Sequence, residues 1–371
     1  MSRLAFNSLA ITNAQQKQYI RAFTKILDRG IYLRGPENIK LTELLYKKIG
    51  SYVTLVASGH DALLISLQSL NLNKNDEVVI PANAYPTAFA VAISGAKLVL
   101  ADVNTNGQLD LDSVTAAITK NTKVVIMVHL YGATGDIESI RKLCNKHHIT
   151  LIEDCAQAFG TKYKHKPVGT FGAFGCFSFY PTKNIGALGD GGAIYSPSKA
   201  RITQIQKLSF YGEKSRYKSV HIAGHSNLPE LQAAGIQIAL KNSQKNFLAR
   251  KRVALWYKQS LKHLSPFIQP LQSEKASDSV PHLFVVRAKY RQALRKFLKK
   301  HHIPTYVHYP TPIHLVHAFS YLGYKSGSFR TAEMLSREII SLPFYPSMKK
   351  AQVQHVVDAL TAFYSHSDTI K

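Results

Sequence analysis

Between residues 53 and 197 the chain alternates short apolar runs with longer segments whose apolar positions recur at helical spacing. The short runs lie at 53–57, 78–81, 97–102, 123–130, 150–154, 175–179 and 192–195, lengths that suit strands. Several are continuously apolar, as in Val124-Val125-Ile126-Met127-Val128, which is the pattern of strands covered on both faces. Most intervening segments read as amphipathic helices; one carries Ala62, Leu63, Leu67 and Leu70 behind Ser58 as an N-cap. The pattern predicts an α/β architecture with a mostly parallel, seven-stranded sheet between helices.

Beyond residue 200 the texture changes. A Lys-rich helical stretch runs from about 229 to 263, a strand-like HLFVVR occupies 282–287, and an Arg- and Lys-rich helix covers 290–301. A Pro-punctuated loop at 304–312 and a helix near 350–365 complete the chain. We read a large domain over 1–240, with an N-terminal arm, and a smaller α+β domain over 241–371.

The 371 residues suit two domains at roughly 100–200 residues each. With 45% apolar and 19% charged residues the chain is not disordered as a whole. No apolar run approaches the ~20 residues of a membrane span, and the first residues lack the pattern of a signal peptide. A cytoplasmic protein with no membrane association is expected. Cys144, Cys155 and Cys176 are too few for a disulfide framework and form no CxxC pair, so they read as buried reduced thiols. The net charge of +25 is dispersed, and its densest cluster, Lys296, Lys299 and Lys300 with His301 and His302, is short. That distribution argues against a nucleic-acid surface and is compatible with an anionic small substrate.

In an open parallel sheet ligands sit beyond the carboxyl ends of the strands, and four such junctions carry unusual groups. Ser58-Gly59-His60-Asp61 opens a helix after a strand, which is either an ordinary cap or a phosphate site. Glu153-Asp154-Cys155-Ala156-Gln157 follows a buried strand, where a carboxylate must find a cation or several donors; Asp154 reads equally as a helix cap. Lys183 follows a strand and the turn Tyr180-Pro181-Thr182. Surface lysines are far commoner, yet a lysine held near the core has its ammonium disfavoured and becomes a nucleophile toward aldehydes. Tyr85, after Pro81-Ala82-Asn83-Ala84, either stacks on a planar ring or simply packs. The glycine run from Gly186 to Gly192 is not GxGxxG, so a dinucleotide site is excluded. Taken together, a carboxylate, a lysine, a phosphate-binding helix start and a flat aromatic are the parts of a pyridoxal phosphate site.

The runs SGHDAL (58–63), NDEVVIPANAY (75–85), VHLYG (128–132), IEDCAQAFG (152–160) and FSFYPTKNIGALGDGGAI (177–194) resemble the DegT/DnrJ/EryC1/StrS family. The likeness continues through NLPELQAA (227–234), HYPTPIHLVHAFSYLG (308–323) and SLPFYP (341–346). It implies a fold type I, pyridoxal-5'-phosphate-dependent sugar aminotransferase, a transaminase of deoxyamino sugar and polysaccharide biosynthesis. Lys183 would then hold the cofactor covalently and act as catalytic acid and base, and Asp154 would pair with the ring nitrogen. Gln157 would lie near the phenolic oxygen, Tyr85 would stack on the ring, and Ser178 with the backbone of Gly59 and His60 would bind phosphate. The family's homodimers share their sites, and its interface asparagine falls at His225. His308 would lie near the sugar or diphosphate.

Three positions depart from the family pattern. His60 replaces a threonine, His225 the interface asparagine, and Asn227 an arginine. His308, His314 and His317 have no carboxylate or cysteine to complete a metal set, and no metal is expected. The resemblance implies glutamate as amino donor and a dTDP-type nucleotide-linked keto-deoxysugar as acceptor, with the segment YGEKSRY (211–217) favouring the 3-keto over the 4-keto class. The alternative is a pyridoxal-phosphate-binding sensor that has lost catalysis.

Overall fold

The computed structural model describes residues 4–265, 267–271 and 277–365. All seven predicted strands form one sheet: β1 (Tyr52–Val56), β2 (Glu77–Pro81), β3 (Lys97–Ala101), β4 (Thr122–Val128), β5 (Thr150–Asp154), β6 (Phe174–Ser178) and β7 (Gly192–Ser196), in the order β1-β7-β6-β5-β4-β2-β3. Only β7 runs against the rest. The register aligns Val128 with Asp154 and Asp154 with Cys176, so the ends of β4, β5 and β6 lie side by side.

The continuous apolar runs are explained by cover on both faces. On one face Val78, Ile80, Val124, Ile126 and Ile152 pack under α3 (Gly59–Gln68) and α4 (Tyr85–Ser94). The intervening residues Val79, Val125, Met127 and Leu151 point the other way, toward α5 (Leu111–Ala117) and α6 (Ile137–Lys146). Alternation of this kind follows from the two-residue period of a strand.

Two regions differ from the sequence reading. The N-terminal arm contains two helices, α1 (Asn13–Arg29) and α2 (Pro36–Ile49), whose apolar stripes are narrow: only Tyr19 and Ile26, and Leu41 and Leu45, are buried. The long helix expected over 229–263 is two helices, Glu230–Lys241 and Ser243–Ser260, which we label α8 and α9 after α7 (Lys199–Leu208). The break falls at Asn242, whose side-chain amide donates to the Ile238 carbonyl at 3.0 Å, a local bond that competes with helix continuation. α8 packs on α1 and α2, whereas α9 enters a second core.

That second core gathers Tyr257 of α9, Leu294 and Leu298 of α10 (Arg291–Lys300), and Val353, Val356 and Leu360 of a C-terminal helix, Lys350–Ser365. They pack on an antiparallel sheet of Ile268–Pro270, Phe284–Ala288 and Ile339–Leu342. Leu4 joins it from the N-terminus.

α2 starts without a side-chain cap of its own, at Gly35. The missing acceptor comes from α8: the buried Glu230 carboxylate accepts from the backbone N–H groups of Gly35, Glu37 and Asn38 at 3.0, 2.8 and 2.9 Å. A β-carbon on Gly35 would meet Glu230 Oε2 at 2.8 Å, so glycine is needed for the approach. Leu33 also bridges Pro229, and Glu230 N–H donates to the Tyr32 carbonyl. A carboxylate at a helix N-terminus satisfies orphan donors and complements the dipole. Glu230→Ala is expected to lose about 3 kcal/mol by leaving one buried and two half-buried N–H groups unpaired, read as a lower urea midpoint. Glu230→Gln should lose less, and an unchanged midpoint for the alanine variant would refute this role.

Candidate functional site

The carboxyl ends of β4, β5 and β6 and the starts of α3 and α4 enclose a cavity of about 110 Å³. Six of the nine predicted site residues line it: Gly59, His60, Asp154, Gln157, Ser178 and Lys183. They come from three different strand ends, those of β1, β5 and β6, which is why no local stretch of sequence contains the whole site.

At the start of α3, Ser58 accepts from Asp61 N–H at 3.0 Å through its side chain and from Ala62 N–H through its carbonyl. Ser58 is therefore the ordinary cap that the sequence allowed. The N–H groups of Gly59 and His60 are left for an outside acceptor, and the helix dipole favours an anion there. The floor of this cradle admits no side chain. A β-carbon on Gly59 would lie 2.5 Å from Ser178 Cβ, and one on Gly192 would lie 2.2 Å from the Ser58 carbonyl oxygen. His60 stands beside Asp61, with Nδ1 3.7 Å from Oδ1.

Asp154 is buried, and both its oxygens are oriented: Oδ2 accepts from Thr87 Oγ1 at 2.7 Å and Oδ1 from Ala156 N–H at 3.0 Å. It caps the following turn and also lines the cavity. Gln157 is oriented through Oε1, which accepts from Tyr131 N–H at 2.7 Å. That leaves its amide donors for other groups, the Tyr309 hydroxyl among them. Lys183 N–H closes a turn on the Tyr180 carbonyl at 2.9 Å, and its side chain runs into the interior. Burial lowers the pKa of its ammonium from the usual lysine value, against the opposing pull of Asp154. The surface reading of this lysine is thereby set aside.

Three predicted residues lie outside the cavity lining. Tyr85 opens α4 between the lining residues Ala84 and Pro86, but its ring packs on Phe89 and Tyr309, with centroids 5.1 and 5.7 Å away. His308 bonds Ser341 Oγ through Nδ1 at 2.9 Å, and burial, with Lys183 adding to it, lowers its pKa to about 4. His225 is exposed; it contacts Asn227 and the rings of Phe210 and Tyr211.

The structure adds residues that the sequence reading passed over. Thr87 holds Asp154 from one turn into α4. Tyr309, the neighbour of His308, has its hydroxyl pKa pushed up to about 12 by burial and by Asp154. His129 lines the cavity and bonds Glu153 at 3.0 Å. Glu153 also accepts from the N–H groups of Gly169, Phe171 and Gly172. Both His129 and Glu153 stood in quoted motifs, and the signal that could have found their pairing was a second carboxylate beside Asp154 pointing to the opposite face. His129, Glu153 and Cys155 come close enough for a metal set, but four donors already fill the Glu153 oxygens.

The parts fit pyridoxal phosphate on the chemistry of the donors. A sealed glycine floor with free N–H groups suits a phosphate, a fixed carboxylate suits a protonated ring nitrogen, and a desolvated amine suits an aldehyde.

Residues 13–361 match the model of the DegT/DnrJ/EryC1/StrS aminotransferase family. The chain is 36% identical over 346 residues to the erythromycin biosynthesis sensory transduction protein EryC1 of Saccharopolyspora erythraea, covering 92% of this chain and 94% of that protein. It is also 36% identical over 352 residues to the dTDP-3-amino-3,6-dideoxy-alpha-D-galactopyranose transaminase of Aneurinibacillus thermoaerophilus, covering 94% and 96%. The crystal structure of S. venezuelae DesV in complex with a ketimine intermediate superposes with a TM-score of 0.94 at 33% identity, covering 98% and 99%.

The lowered pKa of His308, about 4 against 6.5, sets a pH dependence of stability. The unfolded chain takes up a proton between these values and the folded chain does not. Stability conferred by the neutral ring is therefore present above pH 6.5 and is lost as pH falls toward 4. Cofactor-free His308→Gln should lack this slope, on the order of 2 kcal/mol across the window, in denaturant titrations at stepped pH. Parallel wild-type and variant curves would contradict it.

Proposed function

The chain belongs to the DegT/DnrJ/EryC1/StrS aminotransferase family and is a pyridoxal-phosphate-dependent transaminase, and from that premise we propose that it transfers an amino group from glutamate to a nucleotide-linked 3-keto-deoxysugar. The observation that carries the reading is Lys183, a desolvated amine in the same cavity as a fixed carboxylate.

When bound, pyridoxal phosphate supplies an aldehyde for the amino group and a ring that accepts the electron pair released at the donor's α-carbon. This chain's residues do the rest. Lys183 Nζ would hold the aldehyde and, when free, would move the proton of the donor's α-carbon. Its lowered pKa keeps a larger fraction of the amine free to accept that proton. Asp154 holds a proton at the ring nitrogen, and Thr87 and Ala156 N–H fix which way its oxygens face. Gln157, aimed by Tyr131 N–H, donates to the phenolic oxygen. Gly59 N–H, His60 N–H and the Ser178 hydroxyl bind the phosphate. Tyr85 flanks the ring, and His308 meets the sugar or its diphosphate.

The nucleotide-linked substrate and the 3-keto position are supported by the A. thermoaerophilus relative, a transaminase named for a dTDP-3-amino sugar, and by the segment at 211–217. A homodimer is the expected working unit, with His225 reaching the site of a second copy. Among the described residues no helix is long and apolar enough to cross a membrane.

A second, weaker reading, a cofactor-binding sensor without turnover, draws on the name of the S. erythraea relative, a sensory transduction protein, and on the changes at His60, His225 and Asn227. The two separate in one experiment. Purified protein is incubated with pyridoxal phosphate, glutamate and a panel of 3-keto and 4-keto nucleotide sugars, and aminated product is followed by mass. The transaminase gives product with the 3-keto acceptors, and Lys183→Ala lowers the rate at least ~10³-fold. Borohydride reduction should fix the cofactor to peptide containing Lys183. A cofactor band indifferent to every amino donor would support the sensor, and an adduct elsewhere would end both readings.

A further inference from the structure

Tyr131 lies at φ +62°, in the left-handed region, where glycine or asparagine is the usual choice. Its backbone is fixed there from both sides: the N–H donates to Gln157 Oε1 at 2.7 Å, and the carbonyl accepts from His282 N–H at 2.8 Å. The next residue, Gly132, leaves no room to relax, because a β-carbon on it would lie 2.3 Å from the Val280 carbonyl oxygen. A bulky residue persists in this region where its surroundings over-determine it, and such positions cluster at functional sites. The Tyr131 side chain is buried, and burial, with Tyr309 adding to it, pushes its hydroxyl pKa well above the ordinary tyrosine value. The group therefore stays a donor, and it donates to the carbonyl oxygen of His308.

His308 belongs to a segment with little backbone hold of its own. Tyr306 pairs with Ser341 through both backbone groups, at 3.3 and 2.8 Å, and Ile313 N–H donates to the Ala82 carbonyl at 2.8 Å. Between these anchors Pro310 and Pro312 carry no N–H, and His308 and Tyr309 are held through side chains. His308 Nδ1 bonds Ser341 Oγ at 2.9 Å, and the Tyr309 hydroxyl bonds Gln157.

These contacts close a ring. It runs from Tyr131 N–H to Gln157, from Gln157 to Tyr309, along the chain to His308, and from the His308 carbonyl back to the Tyr131 hydroxyl. One residue thus grips both ends of the link between the strand-end cavity and the 308–309 segment that borders it. The cofactor contacts read above within one chain all lie between Gly59 and Lys183, which leaves 308–309 to the donor and acceptor that come and go.

We propose that Tyr131 is a positioning residue for both substrates, its hydroxyl holding the 308–309 segment at working distance from Lys183. This rests on the transaminase reading for the identity of those substrates. Gln157 is aimed by the backbone of Tyr131, so the hydroxyl can be removed without disturbing it.

The test is Tyr131→Phe in the holoenzyme. Rates are counted per site at which borohydride fixes the cofactor to Lys183, so misfolded molecules do not enter. The half-reactions with glutamate and with a 3-keto nucleotide sugar should each slow ~10–100-fold, the cost of a displacement of about 1 Å, with the pyridoxal phosphate dissociation constant unchanged. A freed segment also admits water to the His308 ring. Its pKa, followed by NMR in cofactor-free protein, should rise from about 4 toward 6.5. A residue that only fills space would lower the thermal midpoint and move none of these. Half-reactions at the wild-type rate, or an unmoved His308 pKa, would overturn the proposal. So would a cofactor affinity that falls in step with the rates, since Tyr131 would then support the cofactor itself. A wild type that aminates no acceptor ends the transaminase reading, and the His308 titration still decides what the hydroxyl holds.

Discussion

Lys183 and Asp154 share one cavity at the strand ends, and the surrounding architecture can be understood as what is needed to keep them there. Neither group is stable in such a place alone, because burial disfavours the charged form of each. The carboxylate is kept by donors from two neighbouring elements, Thr87 of α4 and the Ala156 backbone. The lysine has only the field of Asp154 to oppose its desolvation. The asymmetry is chemically useful: the carboxylate is held in place by donors, while the amine is pushed toward its reactive neutral form. An active site thus forms from an imbalance between two buried groups, which a simple ion pair would erase.

The same junction shows how a sheet separates structure from chemistry. Glu153 and Asp154 are consecutive on β5 and so face opposite sides. Glu153 ties the 169–172 loop and His129 into the core through four donors, and Asp154 faces the cavity. A charged pair at the end of one strand therefore splits into a girder and a reagent, and only the direction of the pleat decides which is which.

Much of this was legible in the chain. The strands were plain because each is a short apolar run closed by polar or glycine residues, and Lys183 and Asp154 were legible because charged residues directly after such runs are chemically conspicuous. Less was readable where a contact joins distant segments. Nothing local marks Glu230 as the cap of a helix that begins at Pro36, since Gly35 offers no acceptor and the carboxylate arrives from almost two hundred residues away. Thr87 looked like any helical threonine until β2 brought it next to β5. The break at Asn242 was hidden because the helical periodicity continues through it, and only a side-chain bond to Ile238 interrupts the ladder. Tyr85 shows the limit from the other side: its position after β2 was evident, but its packing on Tyr309 depends on a loop more than two hundred residues later.

The reversed direction of β7 bears on how this protein can change over time. Because that strand runs against its neighbours, its beginning and not its end lies beneath the turn from β1 into α3, and Gly192 meets Ser58 and Gly59 with no space between them. Two backbones in such contact act as a single part. A drifting sequence can remodel the rim of the cavity residue by residue, since loops there face open space. Its floor permits no gradual route, because a methyl group at either glycine would force the opposite backbone to retreat. Substitution on this scaffold is thereby easier around the cavity's rim than on its glycine floor.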